Sequence, residues 1–220
     1  MKYVVILGDG MADYPQKESG KTPLELAEKP AMDRLASMGQ TGLVQTIPSG
    51  MKPGSDVANL SVMGYDPKKY YSGRSPLEAL SMGIKMADTD VAVRWNLVTL
   101  SGEEDYARKT MIDYSAGEIT TKESNILMKA VQEALGNAEF SFYGGVSYRH
   151  CMIWKEGTVK TALTPPHDIL GRKVADFLPS GEGGDKLLAL MKASEKVLKE
   201  HPINQKRIAE GKNPANSIWL

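Results

Sequence analysis

The run Tyr3-Val4-Val5-Ile6-Leu7 constrains this chain more than any other segment. It has no polar position, so it lacks the alternation of a half-buried strand. A short continuous apolar run rich in β-branched residues suits a strand covered on both faces, as in a parallel sheet. Gly8-Asp9-Gly10 follows at once and places Asp9 at the C-terminal end of that strand. Open α/β sheets hold their ligands at such strand ends. The run is too short for a signal-peptide core, and no segment approaches the apolar length of a membrane span. These features read as an α/β protein in the cytoplasm.

The rest of the chain alternates helix and strand signals. Thr22-Pro23-Leu24-Glu25 predicts an N-cap with proline in the first turn, and Ala31 to Met38 predicts a second helix closed by Gly39. Thr41 to Ile47 reads as another strand. Pro48 to Gly54 is a loop, and Ser55-Asp56-Val57-Ala58-Asn59-Leu60 opens a helix. A further helix, capped by Ser75, ends near Gly83. Beyond it, Val91 to Leu100, Ala107 to Ile112, Phe140 to Tyr143 and Val146 to Lys155 read as strands around an amphipathic helix from Thr120 to Leu135. Residues 86–178 therefore read as a small α/β unit of their own, closed by the glycine-rich link 180–184. Helices follow from Asp185 to Lys199 and from Ile203 to Glu210. Ile218-Trp219-Leu220 looks like the start of a buried strand in which the chain stops, and the expectation is a truncated chain.

Composition removes several function classes. Lys plus Arg and Asp plus Glu both number 27, so the formal net charge is zero. That balance gives no general attraction to nucleic acid or to an anionic membrane. The single cysteine, Cys151, excludes an internal disulfide and a cysteine-rich zinc site. Its neighbours Met152, Ile153 and Trp154 suggest a buried structural thiol.

Two segments carry candidate chemistry. Asp9 offers a hard oxygen ligand for Mg²⁺, Mn²⁺ or Zn²⁺. Ser55 stands at a glycine-loop-to-helix junction, where free N–H groups and the helix dipole favour a phosphate. Spacing alone leaves a plainer alternative, with Ser55 a helix cap and Asp9 a turn residue.

The segments Gly8 to Asp13, Lys21 to Glu25, Pro53 to Pro67 and Tyr71 to Ala79 closely resemble the archaeal-type cofactor-independent phosphoglycerate mutases. Those enzymes belong to the alkaline phosphatase superfamily. Met111 to Gly117, Gly145 to His150 and Thr164 to Ile169 extend the resemblance along nearly the whole chain. It implies an alkaline-phosphatase-like parallel-sheet core, residues 1–85 and 179–220, interrupted by an inserted substrate-binding domain, residues 86–178. It implies that Asp9 and Ser55 bind one metal of a two-metal site. Ser55 would take the phosphoryl group of 3-phosphoglycerate and return it to the other hydroxyl, giving 2-phosphoglycerate without 2,3-bisphosphoglycerate. The family's remaining Asp and His ligands lie beyond the inserted domain, so this chain alone is expected to be inactive. A related phosphotransferase, such as a proposed homoserine kinase, and a non-catalytic fragment are the alternatives. Oligomeric state is not legible.

The basic residues in or beside the matching motifs are Arg74, Arg94, Arg149 and His150. Guanidinium forks suit the carboxylate and phosphate of a small phosphorylated substrate. Asp113 could orient a substrate hydroxyl or simply close a turn. His167-Asp168 reads as a substrate-side or structural pair, and His201, before Pro202 at a helix end, as a capping or surface residue.

Overall fold

In the computed structural model, which describes residues 2–220, the chain divides into two compact units, one up to Lys69 and one from Tyr70 to Leu220. The first unit is built from short helices: α1 (Pro23–Leu26), α2 (Pro30–Met38), α3 (Ser55–Val62) and the start of α4 (Pro67–Tyr70). α1 begins as the sequence dictates. Thr22 Oγ1 accepts from the Glu25 N–H, and the Glu25 carboxylate accepts from the Thr22 N–H, a reciprocal capping box. Gly39 closes α2.

No strand forms among residues 2–69, which corrects the expectation at Tyr3–Leu7 and at Thr41–Ile47. Tyr3–Leu7 is exposed throughout, with Ile6 at 88%, and 41–45 is exposed too, with Leu43 fully open. A doubly covered strand exists only through its neighbours on the sheet and the layers above and below. Among the described residues no strand pairs with either segment. The parallel core is therefore not formed here, although the mixed α/β content stands.

The second unit begins with α5 (Arg74–Ser81). Its N-cap is Gly73, at φ +118°, and Ser75 lies inside the first turn rather than capping it. Next comes β1 (Val91–Leu100), ten residues rich in β-branched and aromatic side chains. The expected strand 107–112 resolves instead into a 3₁₀ turn at Tyr106–Arg108 and a short β2 (Met111–Asp113). The remaining elements are α6 (Thr121–Leu135), β3 (Phe140–Tyr143), β4 (Arg149–Trp154), β5 (Thr161–Ala162), β6 (Ser180–Gly181), α7 (Gly184–Leu198), α8 (Pro202–Ala209) and β7 (Ser217–Trp219).

β1 organises one antiparallel sheet. β4 runs along its first half, with Val91 opposite Trp154 and Asn96 opposite Arg149. β7 pairs with Asn96, Leu97 and Val98, and β2 with Thr99 and Leu100. β3 adds to the outer edge of β4, while β5 and β6 form a separate two-stranded ribbon. Because side chains alternate across a strand, Val93, Trp95 and Leu97 feed the main core with Phe142, Met152 and Trp154. α6 contributes Leu127 and Val131, and α7 contributes Leu187 and Met191. The opposite face carries Ala92, Cys151 and Ile153 under Ala79 of α5. Cys151 is thus a packing residue, and burial pushes its thiol up to about 11.

The stretch 179–220, grouped with the first core in the sequence reading, supplies α7, α8 and β7 to this second unit. Ile218, Trp219 and Leu220 are buried here, and the Trp219 indole donates to the Thr164 carbonyl at 2.8 Å. Gly183 enters α7 at φ +74°, and a Cβ there would stand 2.3 Å from the Trp154 ring. No other residue fits that corner.

Asn204 ties α8 to the sheet. Its amide donates to the carbonyls of Leu198 and Ala215 and accepts from the Ala215 N–H, each at 2.8 Å and fully buried. Truncation leaves those backbone groups without partners. Asn204→Ala is expected to destabilise the protein by about 3 kcal/mol in urea unfolding. A change under about 0.5 kcal/mol would contradict this anchoring role.

Candidate substrate-binding face

β1 and β4 present their second face around α5, and the antiparallel register decides what meets there. Arg94 lies opposite Cys151 and Asn96 opposite Arg149. Directly opposed residues share a face, so Arg94 and Arg149 are diagonal neighbours on one surface. α5 adds Arg74 and Glu78, one turn apart. The Glu78 carboxylate accepts from Arg74 Nε at 2.9 Å and lies 3.6 Å from Arg94 Nη1. Arg149 donates to the Tyr148 hydroxyl at 2.8 Å and lies over that ring. This hydrogen bond, with the nearby charges of Glu118 and Glu78, raises its guanidinium above the usual value.

Arg74 and Arg94 thus share one carboxylate, with Arg149 a diagonal neighbour of Arg94 on the sheet, and Arg94 is only one-third exposed. Beside Arg94 a cavity of about 360 Å³ is lined by Ser75, Asn96, Thr164, His167 and Trp219, among others. Asn96 is buried, and its amide donates to the Tyr114 carbonyl. His167 stands 3.4 Å from Asp168 at the exposed rim. Forked cations, side-chain hydroxyls and an apolar wall can hold a small molecule with more than one anionic group.

Two residues expected near these arginines are used elsewhere. His150 points to the main core, stacked on Trp95 with ring centroids 4.4 Å apart. Its Nδ1 accepts from the Gly145 N–H, while His150 Nε2 and Trp95 Nε1 have no partner. Burial lowers the imidazole to about 3, so it is uncharged at neutral pH. Asp113 closes a turn. It accepts from the Ser115 N–H and hydroxyl, the Gly117 N–H and the Asn213 amide. Burial alone would raise its carboxyl, yet these donors hold it below the usual range.

The alternation of a strand could have signalled Asn96, two residues from Arg94. The four-residue helical spacing from Arg74 could have signalled Glu78. Neither was singled out.

Asp9 and Ser55 lie in the first unit. Asp9 sits in an exposed turn before Gly10 at φ +75°. Ser55 is the first residue of α3, after the N-cap Gly54, and it is exposed. Asp9 and Ser55 offer two hard oxygen donors. Among the described residues, no group of three or more His, Cys, Asp or Glu side chains could hold a metal ion. The donors present do not fit the two-metal centre that the resemblance implies.

Comparison with known proteins settles the family. A model of the 2,3-bisphosphoglycerate-independent phosphoglycerate mutases matches residues 36–204. The chain belongs to that family. A mutase of this name from Methanosarcina barkeri is 54% identical over 222 residues, covering all of this chain and 54% of the relative. A probable mutase from Geobacter sulfurreducens is 52% identical over 223 residues, covering all of this chain and 55% of its own length. A solved Pyrococcus horikoshii protein superposes with a TM-score of 0.71 at 30% identity, over 96% of this chain and 48% of that one. The cofactor-independent mutase of Thermoplasma acidophilum gives 0.59 at 26% identity, over 96% of this chain and 55% of that one. The chain spans about half the length of the curated relatives it matches. No helix among the described residues is long and apolar enough to cross a membrane.

The buried His150 gives this mutase-family chain a specific acid sensitivity. The folded state keeps the imidazole neutral down to about pH 3, while the unfolded chain protonates it near 6.5. Below 6.5 the unfolded state therefore binds more protons. The stabilisation is complete above that pH and is lost as pH falls towards 3. Between pH 7.5 and 5 the loss is about 2 kcal/mol. His150→Gln is expected to remove that share of the pH dependence in urea unfolding. A His150 NMR resonance titrating near 6.5 would contradict the assignment.

Proposed function

We propose that this chain carries the nucleophile and the substrate clamp of a cofactor-independent phosphoglycerate mutase. The observation that supports this most is Arg94 at the wall of a cavity, with Arg149 beside it on the same sheet face and Arg74 of α5 sharing its carboxylate partner Glu78. The residues from 70 onward correspond in this reading to the substrate-binding domain inserted in an alkaline-phosphatase-like core. The first unit contributes part of that core. The substrate is a small phosphorylated acid, 3-phosphoglycerate or 2-phosphoglycerate, whose carboxylate and phosphate each suit a guanidinium fork.

Ser55 is the phosphoryl acceptor. Its Oγ bonds to phosphorus as the bond to the glycerate oxygen breaks, and the serine proton is delivered, in balance, to that oxygen. The other glycerate hydroxyl then takes the phosphoryl group back from the serine, and the proton returns. The clamp keeps the glycerate from leaving between the two transfers, so the second step remains effectively unimolecular. His150 and Asp113 have no part in this scheme, since one is enclosed in the core and the other closes a turn.

Divalent metal would supply charge neutralisation and a more acidic serine. Asp9 and Ser55 are the donors this chain offers towards it. The shortage of further ligands favours a second reading of the 220 residues by themselves, as a module that binds without turnover.

Two measurements test these statements. In calorimetry, Arg94→Met is expected to weaken 3-phosphoglycerate binding by roughly 10- to 100-fold, the loss of a charge-assisted pair. An unchanged affinity would remove the clamp. In a coupled enolase assay with Mn²⁺, the 220-residue chain is expected to show no conversion of 3-phosphoglycerate. Conversion that disappears in Ser55→Ala would establish the serine and overturn the claim that further ligands are required.

A further inference from the structure

Glu78 occupies the place that an anionic group would take among these arginines. It lies on α5, between Arg74 one turn before it and Arg94 on β1. Arg149 on β4 lies diagonally from Arg94 on the same sheet face. The next residue, Ala79, is fully buried in the cluster with Ala92, Cys151 and Ile153, which fixes the helix against the sheet. The carboxylate itself stays about one-third exposed, at 35%. An exposed pair one helical turn apart contributes little to stability. Such a contact is weak enough to be exchanged for a better one. A phosphate or carboxylate that engages two guanidinium forms is that better partner.

We propose that Glu78 is a resident counter-anion, a positioning residue that keeps Arg74 and Arg94 aimed at a common point until an anionic ligand takes its place. The idea rests on the clamp reading above and adds a cost to binding. The ligand must compete with a carboxylate already present, so Glu78 lowers affinity and favours release. Without its charge, the guanidinium groups of Arg74 and Arg94 would face the ligand with no internal competitor.

Glu78→Gln tests this, because the amide oxygen can still accept from Arg74 Nε while the charge is gone. With 3-phosphoglycerate as the titrant, Glu78→Gln is expected to bind about tenfold tighter than the unaltered chain. The affinity should also fall more steeply with salt, since one more cation is left for the ligand. Adding Arg94→Met should abolish the gain. A contact that only braces the helix predicts equal or weaker binding and an unchanged salt slope, and either result overturns the proposal. Failure of the clamp reading looks different: the unaltered chain and Arg94→Met would then bind equally. A gain in Glu78→Gln that Arg94→Met removes supports the counter-anion whether or not the unaltered chain binds measurably.

Discussion

The antiparallel register between β1 and β4 is the constraint on which the second unit depends. Because residues alternate across a strand, one choice of register assigns Trp95 and His150 to the main core. The same choice assigns Arg94, Asn96 and Arg149 to the opposite face. A slip by one residue would bury arginines and expose tryptophan. The apolar content of the core face makes that slip prohibitive, so the basic face is held in place by packing on the other side of the sheet. Core packing and the placement of Arg94 and Arg149 are fixed by one set of pairings.

Around this frame the polar interior is closely matched. Lys109, nearly enclosed, is held by the Ser101 carbonyl and by Glu195 at 2.9 Å. Arg207, also enclosed, joins Glu123 to the carbonyls of Ala116 and Asn213. Each cation bridges segments distant in sequence. Removing one partner would strand a buried charge at a cost of roughly 3–5 kcal/mol. The paired nitrogens of Trp95 and His150 are the exception to this matching among the described residues.

Legibility in the sequence followed how local the determining force was. The Thr22 cap of α1, the capping role open to His201 and the long β1 and α7 were readable, because neighbouring residues decide them. Tyr3–Leu7 and Thr41–Ile47 were misread because a buried strand is defined by partners elsewhere, and the described residues provide none. Arg74, Arg94 and Arg149 were singled out through their motifs, yet the placing of Arg94 and Arg149 on one face came from register, which no single segment encodes. His150 shared a motif with Arg149, and strand alternation sent the two to opposite faces. Glu78 and Asn96 were within the same segments and carried only their spacing as a signal.

The central claim is that the arginine face of β1, β4 and α5 receives the phosphorylated acid. The most direct measurement follows the arginine side-chain Nε–H resonances by NMR as 3-phosphoglycerate is added. The account predicts that the signals of Arg74, Arg94 and Arg149 shift together along one saturable curve, while Arg207 and the His150 ring stay fixed. Shifts confined to other residues, or none at all at saturating ligand, would contradict it.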